Sequence, residues 1–175
     1  PRPIPPPAPR PYIFAPLEVS EVRISTRIDD QMAVTTINQE FYNPNSQRLE
    51  GTFVLPVPRG AHIDKFKMEI DGKMVEAELL SAEKAKRIYE DIVRRAKDPA
   101  LLEYAGREVF KVRIFPIEPN SRKRVKISYT QLLKSDDGLV SYVLPLNTEK
   151  FSAKPIRSVS VKVDLHTKQP LKSIY

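Results

Sequence analysis

SAEKAKRIYEDIVRRAKDPALLEY, residues Ser81 to Tyr104, decides the fold, because no other segment repeats its apolar residues at helical spacing. Ala82, Ala85, Ile88, Tyr89, Ile92, Val93 and Ala96 share one face, while Glu83, Lys84, Lys86, Arg87, Glu90, Asp91, Arg94 and Arg95 take the other. Ser81 is placed to accept from an orphan N–H of the first turn, and Arg94, Arg95 and Lys97 suit the negative C-terminal end. Pro99 stops the pattern. The spacing predicts one amphipathic α-helix over about 81–97, whose dry face must lie on a sheet or across the edge of a sandwich.

Outward from that segment the chain alternates with period two. Val22, Ile24, Thr26 and Ile28 face one way against Arg23, Ser25 and Arg27; Asp29-Asp30-Gln31 then turns the chain into a second run, Met32 to Phe41. Asn43-Pro44-Asn45-Ser46 ends that run, and LEGTFVLPVP follows, with Pro56 and Pro58 confining its far end to a sheet edge. Asp71-Gly72 predicts a two-residue type I′ turn between runs 63–70 and 73–80. Beyond the helix come 108–117, 122–133, LVSYVLPL after Asp136-Asp137-Gly138, and 156–165. These runs predict a mainly β fold, an antiparallel β-sandwich of about nine or ten strands, since only one connection is long enough for a parallel crossover.

Eight of the seventeen prolines lie in residues 1–16, PRPIPPPAPRPYIFAP, so this stretch reads as a stiff leader or linker ahead of a domain over 17–175. Cysteine is absent, which removes disulfides, thiol catalysis and thiolate-bound metal. No apolar run approaches the roughly 18 residues of a membrane span. A net charge of +7 and a pI near 9.6 favour acidic partners in association without specifying a fold.

A search for chemistry returns little. No nucleophile elbow or phosphate-binding glycine loop is present. His62 and His166 sit on separate strands, and the pairs Asp29-Asp30 and Asp136-Asp137 read as turn formers. Catalytic, cofactor-binding and metal-ligating residues are therefore expected to be none. Arg122, Lys123, Arg124 and Lys126 form the densest basic run and are the candidate contact for a polyanion or a protein partner; Arg122, Arg124 and Lys126 would share a solvated face opposite Val125, Ile127 and Tyr129.

The order of these segments carries a resemblance. FYN at Phe41 to Asn43, EGTFVLPVP with Ala61 soon after, AEKAKRIYE, LLEY, FKVRIFPIEP and RVKISYTQLL closely resemble the VIT domain, the vault protein inter-alpha-trypsin module, over about 17–133. The resemblance implies a β-rich, non-enzymatic module that precedes a von Willebrand factor A domain in secreted, surface-attached or large-assembly proteins. It implies a structural and protein–protein interaction role; the basic run at Arg122 to Lys126 gives the alternative, a polyanion-binding surface domain for glycan or nucleic acid. The A domain's D-x-S-x-S metal motif is not in this sequence, and the chain reads as truncated before such a domain. The proline-rich start and the lack of cysteine suit a bacterial exported protein of the periplasm, envelope or cell surface.

Overall fold

The computed structural model describes residues 15–77, 100–104, 109–146 and 154–175. The expected helix over 81–97 and most of the proline-rich leader lie outside the described residues. Those described form β1 (Glu18–Asp29), β2 (Met32–Tyr42), β3 (Leu49–Pro56), β4 (His62–Ile70), β5 (Lys73–Ala77), β6 (Ala100–Tyr104), β7 (Val109–Ile117), β8 (Arg122–Leu132), β9 (Ser135–Asp136), β10 (Leu139–Val140) and β11 (Ser158–His166). The mainly β fold is as the alternation predicts.

Six strands make one sheet in the order β11-β1-β2-β8-β4-β5, three make a second in the order β3-β7-β6, and β9 and β10 form a small hairpin. Val22, Ile24, Ile37, Phe41, Phe66, Ile127 and Tyr129 of the large sheet share a single buried cluster with Ile114 and Ile117 of β7, so the two sheets pack face to face. Gly51 of β3 marks the closeness of that packing: a Cβ there would come within 2.8 Å of Ile117 Cδ1 and 2.9 Å of Leu17 Cδ2.

Several local features follow from sequence chemistry. Asp71 and Gly72 take φ of 49° and 76°, as the type I′ turn requires, and Asp137-Gly138 repeats the arrangement at 48° and 79°. Val19 and Val22 are both buried although three residues apart, because the β1–β2 register shifts between Val19 and Glu21 and Ser20 becomes the extra residue of a bulge. Pro56 closes β3, an edge strand that tolerates a missing donor.

Two expectations are corrected. The sheet is not wholly antiparallel: β11 runs parallel to β1, from Glu21 opposite Ser158 to Asp29 opposite His166. β1 and β11 are the first and last strands of the described residues, so the parallel pairing joins distant parts of the chain and needs no single local crossover. LVSYVLPL is not a full strand; only Leu139–Val140 pairs, after which Tyr142 turns inward. Ala100–Tyr104, for which the sequence pattern names no element beyond Pro99, is strand β6, antiparallel to β7.

Candidate functional site

β8 alternates strictly: Val125, Ile127 and Tyr129 are buried, whereas Arg122 and Arg124 are exposed and Lys126 half-buried on the outer face. Lys123 lies in register with Phe41 and so belongs to the other face. The outer-face part of the basic run is therefore brought together as the spacing predicts, without Lys123. Lys126 stands between Asn38 of β2 and Lys67 of β4, and Lys67 is ion-paired to Glu76 at 3.1 Å.

The centre of this face is a residue that sequence reasoning passed over. Glu40 lies opposite Arg124 on the solvent side of β2, yet only 8% of it is exposed. Arg122 Nη1 donates to its Oε1 at 2.5 Å, Arg124 Nε to its Oε2 at 3.0 Å, and Ser20 Oγ to Oε1 at 2.8 Å. The β1 bulge is what sends Ser20 toward this carboxylate. Arg122 also stacks over the Tyr42 ring, its guanidinium carbon 5.4 Å from the centroid. Burial alone pushes the Glu40 carboxyl up, but the hydrogen bonds from Ser20, Arg122 and Arg124 outweigh it and hold the group below its ordinary value. Hydrogen bonding and charge from Glu40 raise Arg124 in turn.

A group held low in the folded state contributes stability above its unfolded-state pKa, near 4.3, and loses it as pH falls through the folded value. Glu40→Gln should accordingly cost about 1–2 kcal/mol near neutral pH, the charged hydrogen bonds being weakened by their half-exposed arginine partners. In urea titrations, the gap to the parent should close below about pH 4.5; a gap that stays constant to pH 3 would assign the loss to packing instead.

Below the hub, at the end of β2, two asparagines tie three segments together. Asn43 Nδ2 donates to the carbonyls of Gln47 at 2.8 Å, Ile117 at 2.9 Å and Glu118 at 3.1 Å, while Asn43 Oδ1 accepts from Asn45 N and Nδ2. Asn45 then pairs with both backbone groups of Ala15, accepting at 2.9 Å and donating at 2.7 Å. The turn signal in Asn43-Pro44-Asn45-Ser46 was legible; the clamp on the incoming chain was not.

The two histidines stay apart from each other, although His166 lies opposite Asp29 in the β1–β11 register. His166 ends β11 and His62 begins β4, with β1, β2 and β8 between them. Asp29 is held by Arg27 at 2.7 and 3.1 Å, and Asp30, at φ 52°, accepts from the Lys168 amide at 2.8 Å. Among the described residues no three His, Asp or Glu side chains are grouped to hold a metal ion, and no helix is long and apolar enough to cross a membrane.

Comparison with known proteins gives a family match and several relatives. The family model described as "Vault protein inter-alpha-trypsin domain" matches residues 19–129. The chain is 32% identical over 130 residues to mouse von Willebrand factor A domain-containing protein 5A, covering 73% of this chain and 16% of that protein. It is 29% identical over 133 residues to the human protein of the same name, covering 74% and 17%. With human inter-alpha-trypsin inhibitor heavy chain H4 it shares 23% over 156 residues, covering 88% and 16%. The chain thus spans about a sixth of the length of these relatives.

Proposed function

This chain belongs to the vault protein inter-alpha-trypsin domain family, and we propose that it serves a longer protein as a non-catalytic scaffold and protein-interaction module set ahead of a von Willebrand factor A domain. The observation that carries the reading is the Glu40 hub. Its carboxylate engages both Arg122 and Arg124, so two of the charges a polyanion would need are already committed within the sheet. The names of the relatives and the small share of them that this chain covers support a module built into a multidomain chain. Export to a bacterial envelope or surface is part of the same reading, supported by the proline-rich start and by a fold that uses no cysteine.

The second reading, a glycan- or nucleic-acid-binding face, rests on Arg122, Lys123, Arg124 and Lys126 as a group. Retention on heparin or DNA separates the two. The module reading expects weak retention, lost between about 50 and 200 mM salt. Lys126→Glu reverses a charge that is no part of the hub; tight retention at physiological salt that this variant abolishes would put the polyanion reading first. The parent sequence tests the rest: a D-x-S-x-S motif downstream and a cleavable leader upstream are expected, and their absence would overturn the proposed context.

A further inference from the structure

Among the described residues the large sheet ends at β11, which pairs with β1 along one side and is terminal on the other. This is the kind of edge that proteins ordinarily guard, because its outward N–H and C=O groups are a template for another strand. Here the guard is cancelled. The lone lysine of the strand, Lys162, is ion-paired at 2.9 Å to Asp164, two residues along on the same face. On the other face Val159, Val161, Val163 and Leu165 are 36–50% exposed. Among the described residues this nine-residue edge thus sets its one lysine against its one aspartate and carries an apolar stripe.

We propose that two copies of this chain pair edge to edge through β11, antiparallel about a two-fold axis at Val163, continuing the six-stranded sheet of each into the other. The register follows from the side chains. A two-fold axis perpendicular to the sheet keeps inner residues with inner and outer with outer. Centred on Val163, it sets Lys162 opposite Asp164 of the second copy and Asp164 opposite the second Lys162. Together with the ion pair within each strand, this makes a square of alternating charges. On the inner face Val161 meets Leu165 and Val163 meets its own copy, so each stripe shields the other. Neighbouring centres fail: Lys162 or Asp164 on the axis would face its own like charge, and Val161 on the axis would set Lys162 against Ser160.

Sedimentation equilibrium on the 175-residue chain, at low ionic strength where exposed charges are least screened, should show a reversible dimer. K162D and D164K should each weaken it about 10- to 30-fold, since two attractive cross-strand pairs become two repulsive ones. An equimolar mixture of K162D and D164K should recover parental affinity, because the heterodimer restores both opposite-charge pairs. In the parent chain, amide exchange along β11 should also slow as concentration rises, a readout that needs no variant. A parent that stays monomeric, a dimer indifferent to both substitutions, a mixture no tighter than its components, or β11 exchange independent of concentration would each overturn the proposal.

Discussion

Asn43→Ala is expected to lower unfolding stability by about 3–5 kcal/mol, more than most substitutions in a domain of this size. Asn43 is fully buried and its amide serves the carbonyls of Gln47, on the β2–β3 connection, and of Ile117 and Glu118, at the end of β7 and just beyond it. Alanine leaves those oxygens under-bonded, and a buried polar group without a partner costs about 1–3 kcal/mol. It also frees Asn45, whose hold on Ala15 places the chain entering β1. Asn43→Asp separates geometry from chemistry. At pH 7 a carboxylate would face three carbonyl oxygens, so this variant should be at least as damaging as alanine. Near pH 4 the protonated acid regains one donor, and part of the loss should return. Urea denaturation of both variants at the two pH values checks this. A loss below about 1 kcal/mol in both would show that the loops hold one another without Asn43.

The contrast between Asn43 and the strands shows what a sequence makes legible. β1, β2, β4 and β8 bury one face and wet the other, so their period-two pattern was readable, as were the Asp-Gly turns that need left-handed backbone. Ala100–Tyr104, beyond the proline that ends the helical pattern, was given no element because five residues are too few for any period to speak. The parallel pairing of Ile24 with Val161 and the opposition of Glu40 and Arg124 are facts of register between distant strands. No local pattern encodes them. A single carboxylate on an outer face looks solvated until the arginines across the strand are known, and a bulge at Ser20 has no signature in an otherwise regular run. The basic run itself was legible as an outer face; its neutralising partner was not.

The same sheet arrangement leads to the last expectation, at Tyr129. Its side chain is fully buried among Ile37, Phe66 and Ile127, so Tyr129→Ala should cost about 3–5 kcal/mol, the range for deleting a large buried aromatic. Tyr129→Phe should behave differently. Thr26, Thr35 and Tyr142 hydrogen-bond one another at 2.8 to 3.1 Å and pin the segment after β10 to the first hairpin. The Tyr129 hydroxyl lies within reach of Thr35 and Tyr142 without a well-aligned hydrogen bond to either, and Gln131 Oε1 is without a hydrogen-bond partner among the described residues. Burial, then the neighbouring Tyr142, pushes the phenol well above its ordinary value. Removing a buried hydroxyl that has no well-aligned partner relieves a desolvation cost, so Tyr129→Phe should be neutral or stabilising by up to about 1 kcal/mol near pH 7. A raised folded-state pKa means that stability is fully present below the unfolded value, near 10, and is lost as pH rises beyond it toward the folded one. The phenylalanine variant lacks that loss, so its advantage should grow above about pH 10. A penalty above about 1 kcal/mol at pH 7 would instead show the hydroxyl to be bonded, with a water shared with Gln131 the simplest bridge.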